Sequence, residues 1–100
     1  MAKVTVKFVV KANTKKAYLA GSSANLGAWD PAKAVALTLE DGVFTTSKQF
    51  DDNAYVEFKV LAAKSFDAVE KGENGEEIAN RTFTATKGLK VEASVANFAK

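Results

Sequence analysis

Trp29 is the only tryptophan of this 100-residue chain. It lies in a turn-rich stretch, Gly21-Ser-Ser-Ala-Asn-Leu-Gly-Ala-Trp-Asp-Pro31, that also holds the only proline and two of the six glycines. A lone indole beside Asp-Pro in a loop does one of two things. It packs the loop down on Leu26 and Pro31, or it stands out as a flat apolar platform for a ligand. A second feature lies in the stretch 54–62, where Glu57 and Lys59 interrupt apolar residues. Such a charged pair marks either a solvated face or a face that works. A third is the group Asp67, Glu70, Glu73, Glu76 and Glu77, with Lys64 and Lys71 among them.

Other chemistries are poorly supplied. The chain has no Cys and no His. It therefore lacks a thiol nucleophile, thiolate ligands, and the commonest general base and metal ligand near neutral pH. The acids of 67–77 have no calcium-loop spacing and read as a solvated charged loop. Paired carboxylates can hydrolyse glycosides, but a domain this small with its acids crowded into one loop argues against an enzyme. No cofactor is expected. Net charge is +2 with both signs spread along the chain, which makes no electrostatic case for nucleic acid or a membrane surface. Lys3, Lys7 and Lys11, with Lys15 and Lys16, lack interleaved aromatics and read as protection of an edge strand. There is no signal-peptide pattern and no long apolar run, as in a module excised from a longer parent.

The elements that must position these residues are strands. Apolar residues make up 47% of the chain, enough for one core in one domain spanning residues 1–100. Residues 3–11 alternate, with Val4, Val6, Phe8 and Val10 on one face. That period of two predicts a half-buried strand. A short apolar strand over 17–20 feeds the Trp29 loop, where Asp30 and Pro31 can start one helical turn. Strands are expected over 35–39 and 43–50, joined by an Asp41-Gly42 hairpin turn. The stretch 54–62 reads as the best central strand, with Val56, Phe58 and Val60 inward and Tyr55, Glu57, Lys59 and Leu61 outward. A short strand around 65–69, a hairpin turn at Asn74-Gly75, and strands over 81–85 and 89–95 complete the chain. Roughly seven or eight short strands at this spacing predict an all-β antiparallel sandwich.

With the strands placed, three motifs stand in order: Tyr18-Leu-Ala-Gly21 leading into Leu26-Gly-Ala-Trp-Asp-Pro-Ala-Lys-Ala-Val-Ala-Leu37, then Glu57-Phe-Lys-Val60, then Asn80-Arg-Thr-Phe-Thr84. Together they resemble the motifs of starch-binding domains, the carbohydrate-binding module family twenty and its glycogen-binding relatives. They cover roughly residues 3–98; the first is fairly specific and the other two are weak alone. The resemblance implies an immunoglobulin-like sandwich that binds α-1,4-glucans such as starch, glycogen or cyclodextrin. It further implies a non-catalytic, monomeric module of a larger, secreted amylolytic protein. In the family's main site two Trp rings stack on glucose units while a Lys and an Asn contact hydroxyls. By position, Trp29 matches the first Trp, Lys59 the Lys and Asn80 the Asn. The second Trp should precede Asn80, yet residues 70–79 contain no aromatic. Phe66, Tyr55 or the 70–77 loop is left to complete the site. The tyrosines of the family's second site have no match, and Asn13 falls near one of their positions.

The resemblance makes chemical sense. A glucose ring presents apolar C–H faces, which flat rings with few rotors bury well, and a rim of hydroxyls, which amides, carboxylates and Lys satisfy. Each stacked ring contributes roughly 1–2 kcal/mol, so one ring gives about millimolar affinity and two approach tens of micromolar. The absent second Trp keeps a rival expectation open. The same fold could serve as a spacer, an interaction module or an engineered scaffold that has lost sugar binding.

Overall fold

A computed structural model describes residues 2–99, which form ten strands and three single turns of 3-10 helix. β1 (Lys3–Lys11) alternates as its sequence demands: Val4, Val6, Phe8 and Val10 are buried, while Lys3, Thr5, Lys7 and Lys11 are exposed. Its antiparallel partner is β5 (Val43–Asp51). β5 in turn pairs with β4 (Thr38–Glu40) across Asp41-Gly42. Both turn residues have positive φ, 50° and 84°, the conformation that lets a two-residue turn match the strand twist. β9 (Lys90–Ser94) lies on the other side of β1, giving the sheet order β4-β5-β1-β9.

The second sheet has the order β3-β2-β6-β8, built from β2 (Tyr18–Gly21), β3 (Val35–Ala36), β6 (Tyr55–Leu61) and β8 (Arg81–Thr84). β7 (Glu70–Lys71) and β10 (Asn97–Phe98) form a separate two-stranded pair. The two large sheets face each other across one core. Phe8 from the first meets Phe58 and Phe83 from the second edge to face, and Phe50 meets Phe83, with ring centroids 5.3–5.7 Å apart. Such pairs each contribute about 0.5–1.5 kcal/mol beyond the area they bury.

The all-β sandwich is as expected, with several local differences. β1 and β9 run parallel. The turn at Lys87-Gly88 carries the chain from β8 in the second sheet to β9 in the first, where β9 meets β1. The expected strand 35–39 splits in two: β3 pairs with β2, and β4 pairs with β5. Leu37 marks the switch, buried in the core, its N–H donating to the carbonyl of Ala17 at 2.9 Å. Residues 65–67 form no strand. The Ser65 hydroxyl accepts from the Asp67 N–H at 3.1 Å and starts a 3-10 turn over Phe66–Ala68. Asn74-Gly75 turns the chain but closes no hairpin: β7 pairs with β10, and the next strand, β8, pairs with β6. β1 is an interior strand, so its lysines cannot guard an edge; they stand on the outer face, with Lys7 opposite Lys90. Leu61 lies on the outer face with Tyr55, Glu57 and Lys59, as expected, and is fully buried there in a second small cluster with Ala20 and Ala34.

One ion pair joins the parts. Glu70 is completely buried. Its carboxylate accepts from Arg81 Nη2 at 2.7 Å and from Arg81 Nε at 3.0 and 3.1 Å. It also accepts the Val60 N–H at 2.9 Å, while Arg81 Nη2 donates to the Ser94 carbonyl at 2.8 Å. Removing one partner of such a pair leaves a buried charge uncompensated, at about 3–5 kcal/mol. Arg81→Ala is therefore expected to lower unfolding free energy by about 3 kcal/mol or more in urea titrations. A loss below about 1 kcal/mol would show that Glu70 reaches water or another donor.

Candidate functional site

The Trp29 loop is shaped by two glycines. A Cβ on Gly21 would lie 2.7 Å from the Glu57 carbonyl oxygen and 2.8 Å from Leu26 Cδ1, so the loop leaves β2 flush against β6. A 3-10 turn over Ala24–Leu26 then buries Leu26 in the main core. Gly27, Ala28 and Trp29 follow with φ of 86°, 49° and 66°. Three successive left-handed residues, two of them not glycine, store backbone strain. Local hydrogen bonds hold it: Trp29 N–H donates to the Gly21 carbonyl at 2.8 Å, and Ala28 N–H to that of Ser23 at 2.9 Å. Asp30 caps the next turn through Ala32 N–H at 3.0 Å, with Pro31 at its first position. Trp29 emerges half-buried, neither sealed under its loop nor fully exposed.

Trp29, Lys59, Phe66 and Asn80 line one shallow concavity of about 410 Å³, together with Val69, Lys71 and Glu77. Four of the five candidate residues thus come together from four separate segments. Phe66 is 40% exposed. Lys71 and Glu77 approach to 3.9 Å, a distance and exposure that make the pair worth little. Lys59 does not pair with Glu57. Its ammonium donates to the Ile78 carbonyl at 2.6 Å, which bends the 70–80 segment over the strand. Asn80 Nδ2 donates to Glu57 Oε1 at 3.0 Å. Two parts of the expectation change. Tyr55, 64% exposed, lies outside this concavity, and its hydroxyl donates to Glu57 Oε2 at 3.3 Å. Glu70, inside the loop expected to complete the site, is instead committed to Arg81. Val69 carried no signal in the sequence. It reaches the concavity because it bridges to Leu61 on the outer face of β6. Among the described residues, the acids of the loop form no group that could hold a metal ion.

Tyr55 borders a neighbouring, larger concavity of about 710 Å³ at the side of the sandwich. Lys3 and Asp51, paired at 2.8 Å, lie at its rim. The hydrogen bond from Lys3, reinforced by its charge, holds the Asp51 carboxyl below the usual range.

The outer face of the second sheet thus carries an open recess lined by two aromatics, two ammonium groups, a carboxylate and an amide. The family described as starch binding domain matches residues 3–95, and the chain belongs to it. No curated protein matches the chain in sequence. Similar solved structures include the Hormoconis resinae glucoamylase, 18% identical with a TM-score of 0.77, of which the chain covers 18% while 95% of the chain is matched. The glycoside hydrolase family 15 glucoamylase of Hypocrea jecorina is 20% identical, with a TM-score of 0.73, over 95% of this chain and 17% of that one. The family 20 module of a maltotetraose-forming amylase from Pseudomonas saccharophila STB07 is 23% identical, with a TM-score of 0.65, over 91% of this chain and 99% of that one. At these identities the likeness is one of fold, and the chain spans less than a fifth of either glucoamylase.

Two outcomes are expected from this geometry. Gly27→Ala places a Cβ at positive φ and 2.8 Å from the Lys33 carbonyl oxygen; it should lower stability by about 1–3 kcal/mol and change the Trp29 emission, as read by thermal melts and fluorescence. Asp51 should titrate below an ordinary aspartate by NMR and return to it in Lys3→Ala. Since its folded pKa is depressed, the small stability it contributes is present above the unfolded-state pKa and is lost as pH falls through the folded one.

Proposed function

We propose that the domain binds α-1,4-glucans of the starch and glycogen type through the Trp29 concavity. One observation carries this reading: Trp29, Lys59, Phe66 and Asn80, far apart in sequence, line a single recess on the outer face of the second sheet. Trp29 stacks on one sugar face, and Phe66 supplies the second ring that residues 70–79 lack. Lys59 and Asn80 contact the hydroxyl rim. The ammonium has donors beyond the one given to Ile78, and the Asn80 amide oxygen keeps its acceptor capacity. A phenyl ring buries less area than an indole, so affinity should fall between about ten micromolar and one millimolar. The matched glucoamylases and amylase suggest the setting: a non-catalytic, monomeric module of a larger, extracellular amylolytic protein. There, repeated modules on one polymer would raise weak affinity by avidity.

The rival reading, a same-fold spacer or scaffold without sugar binding, draws on one observation. Lys59 and Asn80 both already have partners within the protein.

The test is a titration of intrinsic fluorescence, in which Trp29 supplies all the indole signal. With β-cyclodextrin or maltoheptaose a saturable shift is expected, and none with cellohexaose. Trp29→Ala should weaken maltoheptaose binding at least tenfold by calorimetry. A flat titration, or unchanged affinity in Trp29→Ala, overturns the site and leaves the scaffold reading.

A further inference from the structure

The larger concavity beside the Trp29 recess contains related chemistry. Tyr55 borders it with a ring 64% exposed, and Asn25, Lys48 and Gln49 supply an amide, an ammonium and a second amide. Lys3 and Asp51 pair with each other, which leaves the Lys48 ammonium, among the described residues, as the one charged group of the lining outside an ion pair. The Tyr55 ring is also held in place. Its hydroxyl is tied to Glu57, whose backbone N–H donates to the Ser22 hydroxyl at 3.1 Å and whose carbonyl accepts from Ser22 N–H at 2.8 Å. A tethered ring loses little rotor entropy when a ligand stacks on it.

The two concavities share no lining residue, but Glu57 links them through its hydrogen bonds to Tyr55 and Asn80. Tyr55, Glu57 and Lys59 are alternate residues of β6 and share its outer face. Glu57 is the ridge between them, with one carboxylate oxygen accepting from Tyr55 and the other from Asn80. Tyr55 and Lys59, four residues apart, are separated by about 13 Å along the strand. An extended ligand can therefore touch both recesses, whereas a short one sits in one.

We infer that the Tyr55 concavity is an extension subsite that takes the continuing units of the same neutral α-glucan chain as it crosses Glu57 from the Trp29 recess. Tyr55 supplies the stacking ring, and Lys48 and Gln49 contact hydroxyls. The inference rests on the Trp29 reading and adds that affinity depends on chain length.

The experiment compares maltose with maltoheptaose, by NMR titration, for the unaltered domain, Tyr55→Ala, Tyr55→Phe and Trp29→Ala. Tyr55 is exposed, so these variants should fold, which a thermal melt checks. Tyr55→Ala is expected to weaken maltoheptaose about five- to tenfold while leaving maltose unchanged, and Tyr55→Phe to keep most of the affinity. Amide shifts at Lys48 and Gln49 should move with maltoheptaose and not with maltose. If Tyr55→Ala binds both sugars like the unaltered domain while Trp29→Ala loses them, the extension is wrong and the Trp29 site stands. If Trp29→Ala still binds maltose normally, the Trp29 reading falls and the extension falls with it.

Discussion

The structure depends most on a carboxylate standing where a strand is missing. β8 pairs with β6 only as far as Arg81 opposite Phe58. Beyond that point the N–H of Val60 would face the interior without a partner, a loss comparable to a full hydrogen bond. Glu70 fills the gap with one oxygen, and both of its oxygens accept from Arg81. Burying a carboxylate this deeply is expensive unless every lone pair finds a donor, and here Arg81 and Val60 provide them. The same guanidinium reaches Ser94 at the end of β9. One buried pair thereby joins the second sheet, the irregular 64–80 segment and the last strand of the first sheet.

That junction matters for the recess because one of its sides belongs to the irregular segment. Phe66 and Val69 are held to β6 by the Leu61–Val69 bridge and by the Ala62 N–H donating to the Ala68 carbonyl at 2.9 Å. The other side, the Trp29 loop, rests on the same strand through a small outer cluster. Ala20, Ala34 and Leu61 are buried there, with Tyr18 and Val69 packed around them. Alanine at two of these positions keeps the loop backbone close to the sheet. The outer face of β6 thus has a dry end, which anchors both loops, and a polar end, where Lys59, Glu57 and Tyr55 emerge.

The polar groups at that end are already oriented. Lys59 is drawn to Ile78 and Asn80 to Glu57, so little side-chain entropy remains to be lost on binding. Exchanging such bonds for bonds to a ligand has a small net effect. Under the proposed sugar-binding reading, most of the affinity of this face would therefore come from the apolar surfaces of Trp29 and Phe66, and most of its selectivity from the fixed polar groups.

Local pattern alone determined much of this protein. The alternation of Val4, Val6, Phe8 and Val10 specified which face of β1 is buried, and Asp41-Gly42 specified its turn, because side-chain direction and turn geometry are set by the nearest residues. The motif around Trp29 pointed to the family through the glycines and Asp-Pro that shape the loop. Other features had no local signature. Lysines on β1 look the same whether the strand lies at an edge or inside a sheet; only pairing with β9 placed them inside. Leu37 moved the chain between sheets because its side chain belongs to the core, and the length of the 35–39 run carried no trace of that. Glu70, Glu76 and Glu77 are indistinguishable as sequence, yet one is sealed against Arg81 and the others face water. Tyr55 and Lys59 occupy the same strand face, yet Tyr55 borders a concavity that the first sheet helps to line while Lys59 lines the Trp29 recess. Burial, pairing and the walls of a concavity are made by residues distant along the chain, so only the folded structure decides them.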